Sequence, residues 1–140
     1  QTVGDASSLP PLRDALSSEP DAAVRGNIVE ALAKIGGATE LPALTQVLQH
    51  DKDEIVRART ASALGKAHLS GAVDALVSAL GDESASLRAG AAEALGEIGD
   101  PRARSALEKA ARSDPDSSVR TSAAAALGKL HATGTGSQRR

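Results

Sequence analysis

Four arginines recur along the chain at a spacing of 31 or 32 residues, each preceded by Val or Leu and followed six residues later by Ala-Leu. They are Arg25, Arg57, Arg88 and Arg120. A row of this kind could bind anions. An Arg in the first turns of a helix opposes the positive end of the helix dipole, however, and needs compensation. An acid four residues earlier accompanies three of them: Asp21, Asp53 and Asp116. The pattern therefore favours a structural ladder, with direct ligand binding as the alternative.

Other residues that could do chemistry are sparse. The chain has no Cys, and its three histidines, His50, His68 and His131, have no paired carboxylate at helical spacing. No Ser lies in a Gly-x-Ser-x-Gly motif. Gly65, Gly96 and Gly128 follow no strand, so they indicate close helix packing rather than a phosphate loop. The sequence therefore predicts no catalytic, cofactor-binding or metal-binding residues, and no enzyme.

The period of the arginines sets the elements that position them. A fixed period of this length is typical of stacked supersecondary units. Each unit contains two segments with helical spacing, and Asp, Ser, Pro and Gly mark their ends. Eight helices are predicted, near residues 6–17, 21–35, 38–49, 53–67, 70–80, 84–98, 101–112 and 116–131. We expect one domain, 1–131, with repeats near 5–36, 37–68, 69–99 and 100–131, and a disordered tail at 132–140.

The repeat resembles a known one. Asp-x-x-Val-Arg followed by Ala-Leu-Gly-x-Ile-Gly-Asp resembles the short HEAT-like repeats of phycobilisome lyases, with the fullest match from Leu87 to Asp100. The resemblance implies an all-α, right-handed α-solenoid of about four helical hairpins. It also implies that Asp and Arg link neighbouring repeats, through Asp21, Arg25, Asp53, Arg57, Arg88, Asp116 and Arg120. HEAT-like hydroxylases carry His-Glu pairs, and this chain has none.

A polar surface remains on the second helix of each repeat, which lines the concave face in such solenoids. It is basic in the second repeat and acidic in the third, as for a protein or charged peptide partner. The partner-binding residues predicted there are Asn27, Glu30, Lys34, Arg59, Ser62, Lys66, Glu93, Glu97, Ser122 and Lys129. A merely solvated face is the alternative.

The function expected from these observations is a non-enzymatic interaction scaffold or adaptor, without a cofactor. Two alternatives are a lyase-like accessory subunit that handles a bilin and a nucleic-acid-binding module. A formal net charge of −2 and the absence of aromatic residues disfavour nucleic acid and pigment. No apolar run is long enough to span a bilayer. We expect no membrane partner, a monomer or a module of a larger protein, and, although the sequence identifies no compartment, the cytoplasm is favoured.

Overall fold

The structure is a computed structural model that describes the backbone of residues 6–138 and the side chains of residues 6–132. Within residues 6–138 every regular element is a helix. The α-helices are α1 (Leu9–Ser18), α2 (Ala22–Gly36), α3 (Leu41–His50), α4 (Glu54–Lys66), α5 (Val73–Ala79), α6 (Ala85–Ile98), α7 (Arg104–Ser113) and α8 (Ser117–Gln138). Short 3₁₀ turns precede the odd-numbered helices, at Ala6–Ser8, Gly37–Glu40, Ser70–Ala72 and Pro101–Ala103.

The helices form two layers. The even-numbered helices α2, α4, α6 and α8 pack on one another in chain order, and each odd-numbered helix packs on the even-numbered helix that follows it. Four helical hairpins are thereby stacked along one direction, which confirms the predicted all-α solenoid. We number the repeats one to four by these hairpins and call the contact between consecutive repeats a junction.

Leucines fill the space between the two layers, and small residues fill the space between the even-numbered helices. Leu32, Leu64 and Leu95 are fully buried, as are Leu44 and Leu76 from the opposite layer. The even-numbered helices approach one another closely, because a Cβ added at Gly65 would lie only 2.6 Å from Cα of Ala94. Cβ at Gly96 would likewise lie 2.9 Å from Cα of Ala126. These glycines therefore set how closely the layer can stack.

Short polar side chains fix where the even-numbered helices begin. Asp21 accepts a hydrogen bond from the amide of Val24, Asp53 from those of Ile55 and Val56, and Ser84 from that of Leu87. Such caps satisfy amides that have no partner inside the helix. α6 ends at Ile98 and is capped by Gly99, whose φ of 74° lies in the left-handed region that favours glycine.

Two features of the chain differ from the predicted helices. The first helices of the repeats begin with a 3₁₀ turn, which the periodicity of apolar residues does not distinguish from α-helix. At the other end, α8 continues to Gln138 instead of ending near residue 131. Thr and Gly disfavour helix there, but each residue added to an existing helix gains a hydrogen bond. Residues 139–140 of the predicted tail lie outside the described residues.

Candidate functional site

Three of the four repeating arginines bind acidic residues of the next repeat. Arg25 donates through Nε and Nη2 to the two carboxylate oxygens of Asp51, at 2.9 and 3.0 Å. Arg88 binds Asp114 in the same bidentate way, at 2.9 and 3.1 Å. Arg57 makes a longer contact with Asp82, at 3.3 Å. Each junction between described repeats therefore contains one Arg–Asp link.

The same arginines also bind the loop that precedes their own helix. Arg25 donates to the carbonyl of Pro20 at 2.9 Å, and Arg57 donates to the carbonyl of Asp51 at 2.7 Å. Arg120 donates to the carbonyl of Asp114 at 2.7 Å, but no described carboxylate forms an ion pair with it. One guanidinium thus fastens the loop of its own repeat to the loop of the next.

The acid in each link is not the one that the spacing suggested. Asp21, Asp53 and Asp116 cap their own helices, since each accepts a hydrogen bond from a backbone amide two or three residues ahead. The linking acids Asp51 and Asp114 lie two residues before a cap instead. The sequence contained this signal, because Asp51, Asp82 and Asp114 recur at 31 or 32 residues, but the prediction overlooked it.

Burial and hydrogen bonding act in opposite directions on the linking carboxylates. Burial raises the pKa of Asp114, but hydrogen bonds from Arg88 and from the amide of Asp116 outweigh it, so the pKa is lowered overall. The pKa of Asp51 is lowered in the same way by Arg25 and the amide of Asp53. The partners respond in reverse, since the side-chain hydrogen bond to Asp114 raises the pKa of Arg88. The Arg25–Asp51 and Arg88–Asp114 links are therefore ion pairs at neutral pH.

One predicted binding residue, Arg59, is engaged inside the molecule. Its Nη2 donates to Oε1 of Glu30 and to Oδ1 of Asn27, both at 2.8 Å, and its Nη1 donates to the carbonyl of Ala23 at 3.3 Å. Its guanidinium lies directly over Gly26, where an added Cβ would lie 2.4 Å from Nη1. Arg59 therefore links repeat two to repeat one. Three of the predicted binding residues, Arg59, Asn27 and Glu30, thus contact one another at the first junction.

The other predicted binding residues are distributed over the even-numbered helices: Lys34 on α2, Ser62 and Lys66 on α4, Glu93 and Glu97 on α6, and Ser122 and Lys129 on α8. Ser122 donates to Glu93 across the third junction, at 3.4 Å. Glu97 lies near Gly65, and its carbonyl is 3.0 Å from Nδ1 of His68. Lys129 of α8 lies beside Gly96. At the first junction Glu30, Lys34, Ser62 and Lys66 line one cavity. The remaining four, Glu93, Glu97, Ser122 and Lys129, lie at the second and third junctions.

A cavity does open at the first junction. It measures about 250 Å³ and lies between α2 and α4. Its lining consists of Glu30, Ala33, Lys34, Ser62, Ala63, Lys66 and Ala67. Repeat one has Ala33 where repeats two and three have Gly65 and Gly96, and α2 contacts α4 less extensively than α4 contacts α6. The methyl group of Ala33 lines this space, at the position where Gly65 and Gly96 allow close approach.

The sequence prediction missed a buried acid at the same junction. The side chain of Glu40 is only 1% exposed, and its Oε1 accepts a hydrogen bond from Nη1 of Arg13 at 2.6 Å. Its other oxygen, Oε2, is buried without a hydrogen-bond partner among the described residues. The corresponding residues of repeats three and four are Ala72 and Ala103. An acid at a position that is otherwise alanine is the sequence feature that could have indicated the buried carboxylate.

A metal site requires several His, Cys, Asp or Glu side chains that lie close together. No group of three or more His, Cys, Asp or Glu side chains among them could hold a metal ion. The linking acids Asp51, Asp82 and Asp114 are already bound to arginines, and the capping acids Asp21, Asp53 and Asp116 to helix amides. The described residues therefore do not fit a metal centre of the kind found in HEAT-like hydroxylases.

Comparison with known proteins identifies the family. The family model described as HEAT repeats matches residues 1–65 and again residues 41–128, and the chain belongs to this family. A comparison with curated protein sequences finds no significant match. Among the residues that the structure describes, no helix is both long enough and apolar enough to cross a membrane.

One solved structure is similar to this chain in both sequence and fold. Human deoxyhypusine hydroxylase, determined in complex with glycerol, is 32% identical to this chain with a TM-score of 0.78. The match covers 88% of this chain and 43% of the hydroxylase, so the chain spans less than half the length of that enzyme.

The similarity overturns two of the predictions. The sequence alone indicated a non-enzymatic scaffold or adaptor and no enzyme, whereas the matching structure is that of an enzyme. The prediction was wrong because it judged activity from motifs within this chain. A repeat can belong to an enzyme while the groups that react lie elsewhere.

Proposed function

We propose that this chain is a substrate-binding repeat unit of a hydroxylase-like enzyme. The observation that carries the proposal is the similarity to human deoxyhypusine hydroxylase over 88% of the chain. The enzyme's name says that it acts on deoxyhypusine, and the proposal extends that class of substrate to this chain. Since the match spans less than half of the enzyme, the chain is assigned a part in substrate binding rather than the complete reaction.

The cavity at the first junction is the proposed contact. Lys34 and Lys66 are exposed at its rim, and no ion pair or hydrogen bond joins either to another described residue. Its alanine lining gives a floor that is apolar and narrow. A volume of about 250 Å³ is below the usual 300–1,000 Å³ of pockets for whole small molecules. The cavity therefore suits one side chain of a peptide substrate.

The charge at the rim indicates which side chain. Two ammonium groups favour a carboxylate, and Glu30 beside them is already bound to Arg59. A hydrogen bond to a charged group contributes about 1.5–3 kcal/mol. We therefore expect an acidic residue near the deoxyhypusine of the substrate to bind at Lys34 and Lys66. The chain orients the substrate, and the donors present assign it no part in holding a metal.

Calorimetric titration of the full chain tests this proposal. The probe is a peptide that carries deoxyhypusine beside Glu, compared with peptides in which Lys replaces deoxyhypusine or Gln replaces Glu. We expect the first peptide to bind tightest. The double variant Lys34→Ala, Lys66→Ala should weaken it by about tenfold or more, which corresponds to 1.4 kcal/mol.

The control is the double variant Lys52→Ala, Arg112→Ala, which removes two exposed basic residues away from the cavity. It removes the same charge and should bind like the unchanged chain. Equal loss in both double variants would show a general charge effect and contradict the assigned contact. Absence of binding to every peptide contradicts the proposed function itself.

A further inference from the structure

A groove separates α5 from α7 at the third junction, and its volume is about 460 Å³. α5 contains seven residues, whereas α3 and α7 contain ten each. α5 stops at Ala79, because Leu80 and Gly81 form a turn and glycine disfavours a further turn of helix. The groove lies beside this shortened end of α5.

The floor of the groove is apolar. Val77 and Leu80 line it from the side of α5, and Ala106 and Ala110 line it from α7. Residues three or four apart share one face of a helix, so each pair presents a continuous apolar strip. The lining follows α7 from Ala106 to Ser113, a length of about 10 Å at the helical rise of 1.5 Å per residue. The floor therefore has room for an extended alkyl chain.

Three polar side chains line the same groove and are free of partners among the described residues. They are Ser78, Lys109 and Ser113, all exposed to solvent, and none of them makes a hydrogen bond or an ion pair with another described residue. The acid in the lining, Asp114, is already bound by both Nε and Nη2 of Arg88. One ammonium group and two hydroxyl groups therefore remain to bind a ligand, and the free charge is positive.

We infer that this groove binds an aliphatic monocarboxylate, whose alkyl chain lies on the apolar floor and whose carboxylate binds Lys109. The hydroxyl groups of Ser78 and Ser113 are further donors for the same carboxylate. A single ammonium group matches a ligand with a single negative charge. The inference goes beyond the proposed peptide binding, because the groove and the cavity between α2 and α4 share no lining residue.

The backbone around the groove favours an alkyl chain over a peptide. The carbonyls of Val77, Ser78 and Ala110 already accept hydrogen bonds from the amides of Leu80, Gly81 and Asp114. A peptide lying on the apolar floor would leave its own amides and carbonyls without partners, which is costly. An alkyl chain carries no such groups, and a volume of about 460 Å³ lies within the usual 300–1,000 Å³ of small-molecule pockets.

Calorimetric titration of the full chain with butanoate, hexanoate and octanoate tests the inference. Each added methylene group that enters the groove should tighten binding about two- to fourfold. Octanol carries the same chain as octanoate without the charge and should bind about tenfold more weakly. Octylammonium should bind weakest, because Lys109 repels its charge.

Variants separate the carboxylate contact from the apolar floor. Lys109→Gln should weaken octanoate binding by about tenfold and leave octanol binding unchanged, whereas Lys109→Arg keeps the charge and should retain octanoate binding. Ala106→Phe fills the floor and should abolish binding of both ligands. Lys52→Gln is the matched control, since it removes the same charge from an exposed position outside the groove. Circular dichroism establishes that each variant folds.

Four results would overturn the inference. They are the absence of octanoate binding at about 10 mM ligand, binding of octylammonium as tight as that of octanoate, equal losses in Lys109→Gln and Lys52→Gln, and unchanged octanoate binding in a folded Ala106→Phe variant. None of these results bears on the peptide titration, so the proposed function and this inference fail separately.

Discussion

The first and second junctions of this stack are held by different interactions. At the first, Arg59 of α4 binds Glu30, Asn27 and a carbonyl of α2, and a cavity separates the two helices. At the second, Gly65 allows α6 to approach until backbone and side chain of Ala94 fill the space. The two junctions also differ at one aligned position, which is Ala33 at the first junction and Gly65 at the second. Room for a ligand therefore arises where close packing is relaxed.

The largest expected effect comes from filling the close contact. Gly65→Ala should lower the free energy of unfolding by about 2–3 kcal/mol, because its Cβ would lie 2.6 Å from backbone of Ala94 and overpacked sites cost 1–3 kcal/mol. Gly128→Ala, which meets nothing within 4 Å, should raise it by about 0.5–1 kcal/mol through helix propensity. Urea denaturation of dilute protein measures both. Equal shifts of the same sign would contradict the distinction between the two glycines.

The links between repeats come next. Arg88→Ala should lower the free energy of unfolding by about 2 kcal/mol, because it leaves the carboxylate of Asp114 without its bidentate partner. Arg120→Ala removes bonds to backbone carbonyls only and should have a smaller effect. Thermal denaturation followed by circular dichroism compares them. If the Arg120 variant is the less stable one, the described links do not stabilise the stack.

A smaller effect is expected at the first junction. Arg59→Ala should lower the free energy of unfolding by about 1 kcal/mol, since the Arg59–Glu30 pair is partly exposed to solvent. Hydrogen exchange of α2 amides should quicken more than that of α6 amides. Arg112→Ala, at an exposed position of α7, serves as the control. Equal acceleration in α2 and α6 would contradict a stabilising role of Arg59 that is confined to the first junction. A loss of binding on substitution of Arg59 would therefore not report binding alone, because the same side chain links two repeats.

Lowering the pH should gradually weaken the Arg–Asp links between repeats. The pKa of Asp114 is lower in the folded chain than in the unfolded one, where it is near 3.9. Its contribution is therefore present above about pH 4 and is lost as pH falls through the folded pKa. Asp114→Asn should be less stable at pH 7 and should lose less stability between pH 5 and pH 2.5. Urea midpoints across that range measure it, and parallel curves for both proteins would refute it.

Periodicity predicted the fold well and the contacts less well. The spacing of Val24, Ile28 and Leu32 was sufficient to place α2. Ile28 and Leu32 are buried as the pattern requires, whereas Val24 at the start of the helix is exposed. The partner of Arg25 was not predictable from residues nearby in sequence, since Asp51 reaches it only when two repeats stack. The cavity beside Ala33 depends on the separation of α2 and α4 in the stacked repeats. Such distances arise from tertiary packing rather than from local pattern.

The Arg–Asp link also bears on how such a chain can change in length. Each complete repeat brings one donor for the repeat after it and one acceptor for the repeat before it, as Arg57 and Asp51 do for repeat two. Duplication or deletion of a whole internal repeat keeps the donor and the acceptor matched at every junction, whereas loss of part of a repeat removes one of them. Tandem duplication in whole units is therefore the change that this architecture tolerates best.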